Sequence, residues 1–356
     1  MRMTLAPPPT PFVAVEVPVL ERNIAARARS IGELGIETRP HAKTHKSSRI
    51  ARMQLDAGAR GITVATIGEA EAFVAGGVDD VFIAYPLWVD PDRGTRLRAL
   101  AERAEVRIGV ESIESAARAA EELRGTGVRV LVEVDSGHHR TGVAASDAGR
   151  IARAAADAGL PAIGVFTFPG HSYSPDGRRT AAEQEAAALA EAAASLRGSD
   201  IEPLVVSGGS TPSADFAAAG TLTELRPGVY VFGDAQQWEL GTYAREQIAL
   251  TVHATVVSRR ADRIVVDAGS KILGADRAAY STGFGRLLDL PDARITSLSE
   301  HHAVVELDGS PAPSLGATVR VVPNHVCSAV NLVDSFVAFD GGRAELWPVD
   351  ARGRNS

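Results

Sequence analysis

Between residues 38 and 226 the chain alternates, eight times over, a short apolar or β-branched run with an alanine- and arginine-rich helical stretch. The extended runs are 38–40, 61–65, 81–85, 106–110, 128–135, 162–168, 204–207 and 224–226, with helical patterns such as 148–158 and 181–196 between them. Several helical stretches stop at a glycine just before the next strand: Gly58, Gly77, Gly127 and Gly159, as helix C-termini favour. The runs are nearly continuous in hydrophobicity, as parallel strands covered on both faces must be. Parallel strands need helical crossovers, and eight such units close on themselves. The expectation is therefore an α/β fold, a (β/α)8 TIM-like barrel over residues 18–233. An open doubly wound sheet is the alternative, but it calls for a Gly-x-Gly-x-x-Gly turn after its first strand, which the sequence lacks.

After Gly233 the texture changes. Alternating, β-branched segments recur at 249–258, 263–267, 302–307, 318–322 and 335–339, punctuated by Asp308-Gly309 and Gly341-Gly342. That pattern predicts a smaller all-β C-terminal domain over 234–356. An early strand at 12–17, stopped by Pro18 and followed by a helical pattern over 19–34, lies outside the repeat and is expected to join that domain. A chain of 356 residues with 45% apolar residues has room for one large and one smaller core. A formal charge of −7 with no basic stripe excludes nucleic acid as an expected partner. A single cysteine fits a reducing, cytoplasmic setting. The first eleven residues hold no apolar core for a signal peptide, and no apolar run of about 20 residues suggests a membrane span. The polar tail at 351–356 is expected to fray.

In a barrel the chemistry sits at the carboxyl ends of the strands. After the first strand comes Arg39-Pro40-His41-Ala42-Lys43-Thr44-His45-Lys46, and after the fifth Asp135-Ser136-Gly137-His138-His139-Arg140-Thr141-Gly142. The sixth is followed by Pro169-Gly170-His171-Ser172-Tyr173, the seventh by Ser207-Gly208-Gly209-Ser210-Thr211-Pro212, and the eighth by Pro227-Gly228-Val229-Tyr230. Lysine at a strand end is the residue type that forms Schiff bases. Glycine and hydroxyl residues after the last strands are where such barrels bind phosphate through backbone N–H groups. Gly208-Gly209 alone is an ordinary turn. With Lys43 opposite, the combination describes a pyridoxal phosphate pocket. Lys46 is read as a solvated surface charge, and His41 and His45 as partly exposed loop residues. His138, His301 and His302 are read as structural or solvent-facing, and Asp135 as orienting Arg140 through a salt bridge. The Asp79-Asp80 pair falls at the end of the barrel away from the chemistry.

These segments resemble the fold-type III pyridoxal phosphate enzymes, an alanine-racemase-like barrel followed by a β domain. More closely, the chain is similar to the D-serine dehydratase and D-threonine aldolase family. The resemblance is carried by residues 39–46, His139-Arg140-Thr141-Gly142, Gly170-His171-Ser172-Tyr173, Ser207 to Pro212 and Pro323-Asn324-His325-Val326-Cys327, supported by Asp267-Ala268-Gly269-Ser270-Lys271. It implies that Lys43 holds the cofactor and that Arg140 lies near its phenolic oxygen. It also implies that Tyr173 reaches the pyridine ring and that Ser210, Thr211, Gly228 and Val229 hold the phosphate. Arg226 stands where alanine racemase has an arginine on the pyridine nitrogen, so Tyr173 and Arg226 compete for that role.

His325-Val326-Cys327 adds a second cofactor. On a strand, residues two apart face the same way, so this pair would present an imidazole and a thiolate together, ligands suited to Zn²⁺. A lone cysteine is more often buried structure; the resemblance implies a divalent-metal site, Zn or Mn, beside the substrate hydroxyl. It further implies lyase chemistry on D-3-hydroxy amino acids. Either water and then ammonia leave a D-serine-like substrate to give a keto acid, or the Cα–Cβ bond breaks to give glycine and an aldehyde. A His-x-Cys pair is more like the dehydratases, whereas the aldolases tend to His-x-Asp, so the expectation tilts to dehydratase. Ser328-Ala329, where dehydratases read Pro-Thr, leaves the β-substituent open. A metal-free racemase, using Tyr243 or Tyr280 as second base, and a non-catalytic pyridoxal phosphate carrier are the readings from other classes. A homodimer with shared sites is implied by the resemblance alone.

Overall fold

The computed structural model of the chain describes residues 8–356; the reading of no signal segment falls largely on residues 1–7, outside the described residues. The chain divides into two compact units. A barrel unit comprises Ala26–Lys43, Ile50–Gly228 and Arg354–Ser356, and a β unit comprises the described residues up to Ala25 together with Thr44–Arg49 and Val229–Gly353. The opening strand β1 (Phe12–Glu16) leads into helix α1 (Val17–Gly32), along which the chain passes from the β unit to the barrel unit.

The barrel strands are β2 (Glu37–Thr38), β3 (Ile62–Val64), β4 (Asp80–Pro86), β5 (Glu105–Val110), β6 (Arg129–Glu133), β7 (Ala162–Phe166), β8 (Val205–Gly208) and β9 (Glu224–Leu225). All neighbours are parallel, in the order β2-β9-β8-β7-β6-β5-β4-β3. The remaining seam is closed by a parallel bridge between His41 and Thr63 and by Thr63 N–H donating to Pro40 O at 2.8 Å. The sheet is therefore a closed eight-stranded barrel and not the open alternative. Helices α2 (Ser48–Asp56), α3 (Ile67–Ala75), α4 (Pro91–Ala101), α5 (Ile113–Leu123), α6 (Ala148–Asp157) and α7 (Arg178–Arg197) form the crossovers. Several begin at N-caps whose side chains accept from the first turn: Thr66 from Glu69, Asp90 from Arg93, and Ser112 from Ser115 in a capping box. Glycines 58, 77, 127 and 159 take φ of 84° to 98° after their helices, the left-handed conformation that lets each chain turn into its strand.

Phe82, Leu131, Ile163 and Phe166 form a buried apolar cluster contributed by β4, β6 and β7. Polar groups hold the neighbouring interior. Arg39, fully buried, donates through Nη1 and Nη2 to the two carboxylate oxygens of Asp80 at 2.7 and 2.8 Å, and through Nε to Glu224 at 2.6 Å. Arg107 lies 3.4 Å from each of the same two acids. Burial acts to weaken the Arg39 guanidinium as a base. Attraction to Glu224 and the hydrogen bonds to Asp80 outweigh it, and its pKa is raised. Gly61 is glycine because of this network: a Cβ there would stand 2.3 Å from Arg39 Nη1 and 2.6 Å from Asp80 O.

The β unit holds one nine-stranded sheet. Its remaining strands are β10 (Leu250–Arg259), β11 (Arg263–Val266), β12 (Gly285–Leu287), β13 (Arg294–Leu298), β14 (Ala303–Glu306), β15 (Thr318–Pro323), β16 (Ser335–Asp340) and β17 (Arg343–Pro348). Their order is β11-β14-β13-β12-β15-β10-β1-β16-β17, and β1 pairs antiparallel with β10 and parallel with β16. Short helices α8 (Ala235–Glu239), α9 (Ser270–Leu273) and α10 (Val326–Val330) interrupt it. Among the described residues no helix is long and apolar enough to cross a membrane.

Removing one partner from a buried ion network leaves uncompensated charge, which costs about 3–5 kcal/mol. Arg39→Met should therefore lower the unfolding free energy by an amount in that range, seen as a lower urea midpoint at unchanged slope. An unchanged midpoint would mean that Arg107 alone neutralises Asp80 and Glu224.

Candidate active site

Loops at the carboxyl ends of the barrel strands gather on one ring, Phe168, two residues beyond β7. Lys43 Nζ, in a 3-10 turn after β2, is 5.8 Å from its centroid. Arg140 Cζ, after β6, is 5.3 Å away, and the Tyr173 ring 6.4 Å away. His138, half-buried, packs edge-on to the same ring at 5.6 Å. Cations over an aromatic face are stabilised by its quadrupole, so Phe168 is a platform for the two basic candidates. The loop after β8 joins the cluster through Ser210 Oγ, 2.8 Å from Ser172 Oγ and 2.9 Å from Ser213 Oγ. Ser210 and Thr211 are buried.

Arg226 lies in the barrel interior. It donates through Nη1 to Ser207 Oγ at 2.5 Å and through Nη2 to Thr167 O, beside the Phe82 and Phe166 rings. Ser207 Oγ in turn donates to Glu224 at 2.7 Å, which links Arg226 to the Arg39 network. Lys43, Arg140, Tyr173, Ser210, Thr211 and Arg226 thus share the barrel unit. Gly228 is that unit's last residue before the chain passes to the β unit, where Val229 opens a buried 3-10 turn, Val229–Val231.

Several expectations are corrected. Asp135 makes no bridge to Arg140. It accepts from the backbone N–H groups of Gly137 (2.9 Å) and His139 (3.0 Å) and pairs with His139 Nδ1 at 2.6 Å. Partial burial opposes ionisation of Asp135, but the His139 and Gly137 N–H groups hold its carboxyl below the usual range. The Arg140 loop is instead gripped by two glutamates, with Thr141 Oγ1 donating to Glu133 (3.1 Å) and Gly142 N–H to Glu111 (2.7 Å). His45 is fully buried, its Nδ1 3.2 Å from Ser47 N. Lys46 is 5% exposed and donates to Asn331 Oδ1 at 2.8 Å, so it is no surface charge.

In the β unit, His325 and Cys327 do not lie on a strand. β15 ends at Pro323. Asn324 then turns the chain, its Nδ2 donating to Asp276 O and Gly283 O, so that His325 caps α10 and Cys327 sits in its first turn. The two side chains still meet. They are hydrogen-bonded, and the Cys327 sulfur is the largest influence raising the imidazole to about 9. Asp234, buried at the cap of α8, accepts from Val326 N–H at 3.2 Å and lies 3.7 Å from His325 Nδ1. Burial pushes its carboxyl up to about 6. Cys327 Sγ is also hydrogen-bonded to Thr44 Oγ1 at 3.3 Å. Among the described residues no group of three or more His, Cys, Asp and Glu side chains is placed to hold a metal. Of the two tyrosines named as racemase bases, Tyr243 donates to Tyr230 O at 2.9 Å, whereas the Tyr280 hydroxyl is buried without a hydrogen-bond partner among the described residues.

Phe168, Glu111, Glu133 and Asp234 were not singled out by the sequence. A glutamate directly after an apolar run, as Glu133 follows Val130 to Val132, is the local signal that could have marked one of them.

Residues 15–236 match the alanine racemase N-terminal domain, and residues 249–339 a putative serine dehydratase domain. Across 98% of both chains the protein is 35% identical to a D-threo-3-hydroxyaspartate dehydratase from Delftia sp. (strain HT23). It is also 35% identical to a D-threonine aldolase from an Arthrobacter species, over 97% of this chain and 93% of that one. The solved structure of the Delftia dehydratase matches with a TM-score of 0.90 at 33% identity, covering 98% of this chain and 99% of that one. Another matching structure is a cysteine-to-alanine variant of a D-threo-3-hydroxyaspartate dehydratase in the metal-free form.

Glu133 supplies a test of the interior electrostatics. Burial pushes its carboxyl from 4.5 up to about 7, so the folded state holds its proton more tightly than the unfolded state does. Stability drawn from that proton is present below pH 4.5 and is lost as pH rises to about 7. Glu133→Gln keeps the oxygen that accepts from Thr141 and cannot ionise. Relative to wild type it should gain about 3 kcal/mol across that window, read from denaturant midpoints at successive pH values; parallel pH profiles would refute the assignment.

Proposed function

The chain belongs to the alanine-racemase-like, fold-type III family of pyridoxal phosphate enzymes that includes the D-threo-3-hydroxyaspartate dehydratases and D-threonine aldolases, and from that membership we propose a metal-dependent dehydratase of D-serine-like 3-hydroxy amino acids. The coarser activity, pyridoxal-phosphate-dependent lyase chemistry on D-3-hydroxy amino acids, comes with the family. The observation that carries the finer reading is the hydrogen-bonded His325–Cys327 pair, because this imidazole and sulfur donor set favours the dehydratases within the family.

Bound pyridoxal phosphate supplies an electron sink that weakens the bonds to the substrate Cα. The residues fit that group. Lys43 would be the amine that holds it, and its Nζ would be the base that takes the Cα proton. Ser210, Thr211, Gly228 and Val229 would hold the phosphate. Arg140, fixed by the Glu111 and Glu133 clamp on its loop, neutralises the phenolic oxygen. Of the two candidates for the pyridine ring we favour Tyr173, since Arg226 already donates to Ser207 and Thr167. Phe168 screens Lys43 and Arg140 from water on one side.

A divalent ion, Zn²⁺ or Mn²⁺, fits His325 and Cys327 as an open site. Two protein donors fall short of a closed structural set and would leave positions open to a substrate oxygen. Such an ion supplies Lewis acidity toward the substrate hydroxyl. Asp234, 3.7 Å from His325 Nδ1, orients the imidazole. The metal-free cysteine variant of the related dehydratase supports this assignment.

Aldol cleavage stands second, because identity to the Arthrobacter D-threonine aldolase is the same 35%. The racemase reading is weakened by the hydrogen bond that commits Tyr243 to Tyr230. A cytoplasmic homodimer completes the proposal.

Purified protein loaded with pyridoxal phosphate and Mn²⁺ or Zn²⁺ should convert D-serine or 3-hydroxy-D-aspartate to a keto acid and ammonia. EDTA should abolish turnover and added metal restore it. Glycine and an aldehyde would make the protein an aldolase, and EDTA-insensitive turnover would remove the metal from His325 and Cys327.

A further inference from the structure

Glu185 takes no part in the chemistry outlined above, yet it is one of the most enclosed acids in the molecule. It lies in the middle of α7, 1% exposed, and its Oε1 accepts from the backbone N–H of Gly209 at 2.6 Å. The turn rests directly on this carboxyl group: a Cβ added to Gly208 would stand 2.4 Å from the same oxygen. Gly209 itself takes φ of +86° and leads straight into Ser210 and Thr211. The preceding helical residue, Gln184, has its Oε1 2.9 Å from His171 Nε2, in the loop that carries Tyr173. Ser172 and Ser210 then tie the two loops to each other. Consecutive side chains of one helix thus anchor both the Tyr173 loop and the Ser210 loop. An apolar residue would fill this space without the cost of removing a carboxyl group from water, so a buried acid here calls for a role that its oxygen performs.

We propose that Glu185 is a positioning residue for the phosphate of pyridoxal phosphate, fixing the Gly208-Gly209 turn from which Ser210 and Thr211 are presented. This rests on the assignment of the cofactor phosphate to that loop. Glu185→Gln keeps an acceptor oxygen for Gly209, whereas Glu185→Leu keeps the bulk without one; Glu185→Asp, one methylene shorter, serves if the leucine variant does not fold. The apoprotein of each is titrated with pyridoxal phosphate and, separately, with pyridoxal, which lacks the phosphate, following the absorbance of the Lys43 adduct.

A lost buried hydrogen bond at the loop should weaken pyridoxal phosphate binding about tenfold in the leucine or aspartate variant. Pyridoxal binding should stay unchanged, and the glutamine variant should match wild type for both. Equal loss for both ligands would make Glu185 merely structural and overturn the proposal, as would unaltered binding of both. Wild type that binds pyridoxal phosphate no better than pyridoxal would instead overturn the phosphate assignment on which the proposal rests.

Discussion

The barrel depends on a buried guanidinium. Arg39 joins the end of β2 to the starts of β4 and β9, with Arg107 from β5 completing the charge balance. From Glu224 the chain of contacts runs through Ser207 to Arg226 and on to Thr167, the residue before Phe168. Barrels of this kind are usually filled with layers of branched aliphatic side chains. Here a polar column shares the interior with the Phe82 cluster. Isolated, each of these charges would be prohibitive to bury; paired in fixed geometry, they hold strand ends in register. Lys43 follows Arg39 by four residues, so the network also fixes where the chain leaves β2 and where that lysine begins.

What could be read from the sequence was what local pattern encodes. The eight barrel strands fall within two residues of their expected bounds, because buried parallel strands write themselves as apolar runs and their helices end at glycine. In the β unit, β12, β13 and β17 were missed. The first is three residues long, and β13 carries a register shift between Ile295 and Ser297 that blurs its alternation. The candidate site residues stand in motifs that the sequence shows, while their partners do not. Asp135 was matched to Arg140, five residues on, but the backbone of its own turn reached it first. His325 and Cys327 come together through a helix start set partly by Asp234, 91 residues earlier in the chain, and no local spacing announces that. Lys46 looked solvated because lysine usually is; its partner Asn331 lies 285 residues on.

Phe168 shows how a residue without chemistry of its own can organise those that have it. Neither a nucleophile nor a ligand, it meets Lys43, Arg140, Tyr173 and His138. A flat apolar face leaves the cations their charge while excluding some of their water, and it neither donates nor accepts the protons that a reaction must move.

The pairing of β1 has a consequence for how the protein is made. β1 precedes every barrel strand in the chain, and its two neighbours, β10 and β16, begin at residues 250 and 335. Every barrel strand is synthesised before either partner exists, so a nascent chain can close its barrel while β1 still shows both hydrogen-bonding edges. Unpaired strand edges are what chaperones shield and what aggregates recruit. A chain cut before residue 335 lacks β16 and leaves that side of β1 without its parallel partner.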